Sequence, residues 1–191
     1  METPHDDPRN DQDLIAAANH GDPGAFEILY HRHRDWVISL AHRTTADHAL
    51  ALDVLQETFL YLARKFPGFR LTCQLRSFLY PAVRNLAIGA RRKAERLQSD
   101  GTDLAALEAP AVVPTGDDAR ASLGAVLQEL GDAHREVLLL RFVDGFSLDE
   151  IAAAVSIPLG TVKSRLHHAL AALRRDPRTK KFFEPFRPAI D

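Results

Sequence analysis

Apolar residues recur three and four positions apart along most of the chain, which is the spacing of one face of an α-helix. Turn-forming residues interrupt this pattern. Asp22 before Pro23, and Asp47 ahead of a later apolar stripe, are typical N-caps because their carboxylates accept hydrogen bonds from free backbone amides. The pattern predicts helices over residues 11–19, 23–44, 48–65, 75–96, 119–130, 132–143 and 148–155, and a further helix with Pro158 in its first turn that runs to about residue 174.

Charge is distributed unevenly, although the formal net charge is only −2. Residues 64–96 carry 9 basic and 1 acidic side chains, and residues 163–187 carry 8 basic and 2 acidic ones. Residues 97–118 have no basic residue and 5 acidic ones, with prolines and glycines among them. This arrangement predicts two phosphate-facing surfaces joined by an acidic linker.

The predicted fold is therefore all-α, with two small helical domains joined by a flexible linker. Residues 1–10 are interpreted as a disordered lead and residues 11–96 as a four-helix domain. Residues 97–118 form the linker, residues 119–175 the second domain, and residues 176–191 a C-terminal tail. We interpret the tail as mobile, with docking of a partner or DNA through its phenylalanines as the alternative.

Other features narrow the class of protein. No apolar run has the length of a membrane span, and the amino terminus lacks the layout of a signal peptide, so we expect a cytoplasmic protein without membrane insertion. The single cysteine, Cys73, cannot form an internal disulfide, and no Cys/His cluster has the spacing of a zinc site. No nucleophile arrangement is recognisable either, so we expect no enzymatic activity, no catalytic residue, no metal and no cofactor.

Two histidines and two arginines in the second helix could suggest a metal or phosphate site. His31 and His33 are two positions apart and so point to different faces of a helix, which argues against joint ligation. We interpret these two histidines, together with Arg32 and Arg34, as a solvated face.

Residues 147–174 predict a helix-turn-helix. Ser147 and Glu150 have the spacing of a capping box at the start of the first helix, and Pro158 separates it from the second. The second helix turns apolar residues inward and leaves a basic, polar face, as a recognition helix in the major groove requires. The inward residues are Val162, Leu166, Ala169, Leu170 and Leu173. A preceding helix, with an acidic cap at Gly131-Asp132, is expected to bury Val137, Leu138 and Phe142.

The sequence of this stretch resembles region 4 of bacterial sigma factors, especially those of the extracytoplasmic-function (ECF) group. The similarity lies in Glu150-Ile151-Ala152, in residues 160–166 (Gly-Thr-Val-Lys-Ser-Arg-Leu), and in the helix of residues 135–142. The resemblance implies contacts with the minus-thirty-five promoter element. The implied residues are Thr161, Lys163, Ser164, Arg165, His167 and His168.

A second resemblance lies in the third helix, where an apolar stripe of Leu52, Leu55, Phe59 and Leu62 is expected. Residues 53–59 are similar to the region 2.2 segment by which sigma factors hold the clamp helices of RNA polymerase. Side chains three and four positions apart share a helix face, so a polar, partly acidic surface is expected beside the stripe. The implied polymerase-binding residues are Asp53, Gln56, Glu57 and Phe59.

The fourth helix resembles regions 2.3 and 2.4, which melt and recognise the minus-ten element. Aromatic rings can stack on unpaired bases while arginines hold the backbone. The implied residues are Arg76, Phe78, Tyr80, Arg84, Asn85, Arg91 and Arg92. The chain departs from the family's usual residues at Ala63, Phe78, Gly89 and His168, and Pro81 lies within the expected helix.

The resemblance implies an alternative sigma factor that binds core RNA polymerase, through its clamp helices and flap, and directs it to promoter DNA. An anti-sigma factor is a further implied partner. Two alternatives remain at this point. One is a sigma-like mimic that sequesters an anti-sigma factor, and the other is a helix-turn-helix regulator, such as a LuxR-type response regulator, that does not bind core polymerase.

Overall fold

The computed structural model describes the backbone of residues 7–100 and 118–183, and the side chains of residues 7–98 and 123–180. Its regular elements over these residues are helices, so the prediction of an all-α fold is confirmed. They are α1 (Asp11–Asn19), α2 (Pro23–Thr45), α3 (His48–Ala63), α4 (Leu75–Asp100), α5 (Asp118–Glu129), α6 (Asp132–Phe142), α7 (Leu148–Val155), α8 (Leu159–Arg175) and α9 (Pro177–Phe183).

The chain divides into two compact units, Met1–Leu104 and Ala105–Asp191, so the prediction of two helical domains is also confirmed. Most of the predicted linker, part of the predicted lead and the end of the predicted tail lie outside the described residues. Residues 97–100, which we assigned to the linker, continue α4. No helix within the described ranges is long and apolar enough to cross a membrane.

The first unit is built around α2, which packs against α1, α3 and α4. Its fully buried side chains come from all four helices: Leu14, Leu29, Val37, Val54, Leu62, Leu75, Leu79 and Val83. The predicted caps are confirmed. The Asp22 carboxylate accepts from the amides of Gly24 and Ala25, and that of Asp47 accepts from Leu50 at 2.9 Å.

The predicted solvated face on α2 is wrong for His33, which is only 5% exposed. Its Nε2 lies 2.8 Å from Oδ2 of Asp11, and Arg32 donates from Nη1 to Oδ1 of the same carboxylate at 2.8 Å. The cause is that α1 packs across α2 at this point. Partial burial by itself would raise the pKa of the Asp11 carboxyl, but the hydrogen bonds and charges of His33 and Arg32 outweigh burial and lower that pKa.

Residues 7–10, which we assigned to the disordered lead, also contact α2. Arg32 donates to the backbone carbonyl of Asp7 at 3.1 Å. Arg9 pairs with Asp7 at 2.7 Å, and this hydrogen-bonded pairing lowers the pKa of Asp7 to about 2. The predicted disorder is therefore wrong for these residues.

The second unit packs α5 and α6 against α8 around a cluster of Val126, Leu138, Ala169 and Leu173. The capping box of α7 is confirmed, with Ser147 Oγ accepting from the Glu150 amide and the Glu150 carboxylate accepting from the Ser147 amide. Two expectations for α6 are wrong. Its N-cap is Gly131, without a side-chain cap, and Phe142 is 61% exposed because Phe146, in the following turn, occupies the interior at 2% exposure.

The tail expected to be mobile instead forms α9, which packs against α5 and α8. Thr179 is fully buried, and its hydroxyl donates to the Leu173 carbonyl. Arg178 pairs with Glu129 at 2.6 Å and with Asp176 at 2.7 Å. Hydrogen bonding to this guanidinium lowers the pKa of both carboxyls. The second unit therefore extends through α9.

Candidate functional site

A polar surface lies along α3, and its geometry follows from the helix. Asp53, Gln56 and Glu57 are exposed, whereas Val54 and Thr58 are buried. The three exposed residues lie on one face because they are three and four positions apart. We call Asp53, Gln56, Glu57 and Leu60 the α3 face.

Leu60 was not predicted to lie on this face, although its spacing in the sequence places it there. It follows Glu57 by three positions, Gln56 by four and Asp53 by seven, so it falls on the same face, and it is 49% exposed. Leu60 therefore adds an apolar side chain to this polar, partly acidic face.

Two predictions for α3 disagree with the exposure of the side chains. Phe59 was predicted both to belong to the apolar stripe and to bind polymerase; it is 5% exposed, as a residue of the stripe is, and its ring packs edge-on against Tyr30 at 4.8 Å and Phe26 at 6.3 Å. Phe59 therefore supports α3 from beneath. Leu52, predicted to join the apolar stripe, is 38% exposed because the buried stripe runs through Ala51 and Leu55.

The start of α4 holds an aromatic cluster. Phe78 is half-buried and stacks on Tyr61, with ring centroids 6.1 Å apart and an interplanar angle of 20°. Phe78 also packs against Phe69, with ring centroids 4.8 Å apart. Arg76 is half-buried and lies over the Trp36 ring at 5.7 Å, a cation–π contact that holds the guanidinium near the surface.

Tyr80 was predicted to contact the minus-ten element, but it is 3% exposed. In this conformation its ring belongs to the core of the first unit and cannot stack on a base. The helix continues through Pro81, and Gly89 is exposed with open space where a Cβ would lie.

Further along α4, the predicted polar residues Arg84, Asn85, Arg91 and Arg92 are all exposed. Arg84 and Arg91 are seven positions apart, as are Asn85 and Arg92, so each pair lies on one face, separated by about 10 Å along the axis. Arg91 pairs with Glu95 at 3.4 Å and reaches the Thr44 carbonyl at 3.5 Å. This face offers cations at helical spacing to a polyanion.

The second unit presents the outer face of α8. Lys163, Ser164, His167 and His168 are exposed, while Thr161 and Arg165 are half-buried. Val162, Ala169 and Leu173 anchor the opposite side of the helix. The His168 ring meets His167 at 5.6 Å and His134 of α6 at 6.1 Å, both edge-on.

Across the described side chains, no group of three or more His, Cys, Asp or Glu residues is arranged to hold a metal ion. The surfaces that the structure brings out are therefore made of exposed polar, cationic and aromatic side chains on helices. Such surfaces bind macromolecules by complementarity of shape and charge.

Comparison with known proteins identifies the family to which this chain belongs. Residues 29–97 match the family described as Sigma-70 region 2, and residues 126–175 match the family described as Sigma-70, region 4. The chain therefore belongs to the sigma-70 family of transcription initiation factors.

Curated relatives place it within the ECF group. The ECF RNA polymerase sigma-E factor of Escherichia coli is 30% identical over 177 residues, which cover 85% of this chain and 92% of that protein. The ECF RNA polymerase sigma factor SigW of Bacillus subtilis is 29% identical over 177 residues, covering 86% and 95% of the two chains. The ECF assignment made from the sequence is confirmed.

Solved structures share the fold. CnrH, in complex with the cytosolic domain of CnrY, aligns with a TM-score of 0.62 at 24% identity, covering 85% of this chain and 93% of that one. The sigma factor RpoE in complex with the anti-sigma factor NepR, from Bartonella quintana, aligns with a TM-score of 0.56 at 26% identity, covering 78% and 94%.

Proposed function

We propose that this chain binds core RNA polymerase through the α3 face and directs it to promoters, as an alternative sigma factor of the ECF group. The observation that carries the proposal is the α3 face itself. The segment matched by the region 2 family exposes three polar side chains and Leu60 together, and a basic partner helix needs such a surface.

The minus-ten element is proposed to bind along α4. Phe78 is half-buried in the first turn of α4, where it can stack on an unpaired base, and the half-buried Arg76 lies two positions earlier in the same turn. Arg84, Asn85, Arg91 and Arg92 would then hold the phosphates of the same strand. Tyr80 is not included, because its ring is buried.

The minus-thirty-five element is proposed to meet the outer face of α8 in the major groove. Lys163 and Ser164 are exposed near its amino-terminal end and suit phosphate contacts. Arg165, His167 and His168 follow within one turn and suit contacts at or near base edges, with Thr161 beside them. The two ring nitrogens of His168 point in different directions, so its side chain cannot hold guanine with the two-pronged geometry that arginine uses.

An anti-sigma factor is proposed as a further partner. The support is the 26% identical sigma factor RpoE, which is seen in complex with the anti-sigma factor NepR. The match to the region 2 family argues against the alternative of a helix-turn-helix regulator that does not need polymerase. The alternative of a sigma-like mimic predicts binding to an anti-sigma factor without binding to core polymerase.

Charge reversal on the α3 face tests the proposal directly. Asp53→Lys should weaken the affinity for core polymerase by about tenfold or more, because a desolvated charge pair at an interface is replaced by repulsion. The matched control is Asp35→Lys on α2, which reverses a carboxylate that is 81% exposed outside this face. Binding is measured by fluorescence titration of labelled protein with core polymerase.

The control should bind as the wild type does. Equal affinities for wild type and Asp53→Lys would contradict the proposed use of the α3 face. A wild-type protein with no affinity for core polymerase would contradict the sigma-factor function altogether and would favour the mimic.

A further inference from the structure

Asn19, the last residue of α1, joins two parts of the first unit that are 50 residues apart in sequence. Its Oδ1 accepts hydrogen bonds from the amides of Gly68 at 2.7 Å and Phe69 at 3.0 Å, and its Nδ2 donates to the Phe69 carbonyl at 2.8 Å. The side chain is half-buried. Asn19 lies outside both segments matched by the family comparisons, and the sequence analysis assigned it no role.

The segment that Asn19 holds is the connection between α3 and α4. Residues 66–74 have no regular secondary structure, so their backbone groups lack the partners that a helix provides. Gly68 has a φ of +96°, a backbone conformation that favours glycine. By bonding both the amide and the carbonyl of Phe69, Asn19 acts as a neighbouring strand would and fixes the position of that residue.

Phe69 in turn supports the aromatic cluster at the start of α4. Its ring is 8% exposed and lies 5.7 Å from Phe66 on one side and 4.8 Å from Phe78 on the other. Phe78 also stacks on Tyr61. A shift of the Phe69 backbone would therefore move the ring against which Phe78 rests.

We propose that Asn19 is a positioning residue for the contact between Phe78 and an unpaired base of promoter DNA. It acts through Phe69, whose ring it holds beneath Phe78. A base gains stacking energy only if the aromatic ring is already placed to receive it, so fixing that ring in advance lowers the cost of binding. The inference rests on the proposed function, in which α4 engages single-stranded DNA.

Asn10 provides a matched control at the other end of the same helix. It is the N-cap of α1, and its exposed side chain accepts from the Asp13 amide at 3.0 Å. Asn10→Ala therefore weakens α1 by the same chemical change as Asn19→Ala without touching residues 66–74. A purely structural role for Asn19 predicts that the two variants behave alike.

The experiment uses holoenzyme assembled from core polymerase and the full chain. The probe is a fluorescein-labelled single-stranded oligonucleotide with the non-template minus-ten sequence of a promoter that the wild-type holoenzyme transcribes. Asn19→Ala should weaken binding of this probe by about tenfold, the loss expected when one base–aromatic contact is misplaced. Asn10→Ala should bind the probe as the wild type does, and both variants should keep their affinity for core polymerase.

A double-mutant cycle separates positioning from general stability. If Asn19 acts through Phe78, then adding Asn19→Ala to Phe78→Ala should weaken probe binding no further. Independent, additive losses would overturn the inference, and so would equal losses for Asn10→Ala and Asn19→Ala. A wild-type holoenzyme without affinity for the probe would overturn the proposed function and this inference together.

Discussion

The proposed contacts with polymerase and DNA depend on small differences in exposure between neighbouring side chains. Asp53 and Val54 are adjacent, yet one faces outward and the other is buried. Helical spacing was enough to place Asp53, Lys163 and most of the polar candidates on outer faces. Spacing also placed Phe59 in the apolar stripe, where it is buried. The polymerase contact of Phe59 and the minus-ten contact of Tyr80 were taken from the family resemblance, which does not show how neighbouring helices bury an aromatic ring.

Lys163→Ala should weaken binding of the holoenzyme to duplex promoter DNA. Because a phosphate contact does not depend on the bases, the loss of affinity should be similar for DNA duplexes that differ in their minus-thirty-five sequence. If Lys163 contacts one phosphate, the slope of log K against log salt concentration should become shallower by about 1, since one fewer counterion is released. Lys180→Ala, which removes an exposed lysine from α9, serves as the control. Affinities measured over a series of NaCl concentrations give the slopes, and an unchanged slope for Lys163→Ala would contradict the phosphate contact.

The starts of α2, α3 and α7 were predicted from their N-caps. The caps at Asp22, Asp47 and Ser147 are local, because each bonds to amides within three residues, so the sequence alone reveals them. The interactions that were not predicted are long-range. The Asp11 carboxylate bonds to Arg32 and His33 of α2, which are more than 20 positions away in the sequence. The side chain of Asn19 bonds to residues 49 and 50 positions away. No periodicity within one helix encodes such a partner.

The docking of α1 on α2 should depend on pH through Asp11. The pKa of this carboxyl is lowered in the fold, so its ionised form stabilises the fold above its unfolded pKa, and this contribution is lost as pH falls through the folded pKa. Asp11→Asn should therefore lower the free energy of unfolding at neutral pH by about 1–2 kcal/mol. The gap between wild type and variant should close below about pH 4.

Thermal unfolding followed by circular dichroism at a series of pH values measures this gap. Asp13→Asn, which changes an exposed carboxyl in the same turn, should unfold close to the wild type throughout. A gap between wild type and Asp11→Asn that stayed constant from neutral pH to about pH 3 would show that the charge of Asp11 is not what holds α1.

Across the whole chain, two helical units carry the proposed surfaces separately. The first holds the α3 face and the exposed cations of α4, and the second holds the outer face of α8 and the docked helix α9. The two basic blocks of the sequence predicted this division, because a linker without basic residues separates them. The docking of α9 was not predicted, since it depends on Thr179 and Arg178 meeting partners on α8 and α5.

Run-off transcription tests the sigma-factor function most directly. Bacterial core polymerase is incubated with a DNA fragment from upstream of the protein's own gene, with and without this protein. We expect a discrete transcript that requires the protein and that is reduced with Gln56→Ala or Lys163→Ala, because each variant removes one of the two proposed surfaces. Absence of any protein-dependent transcript, together with absence of binding to core polymerase, would contradict the account.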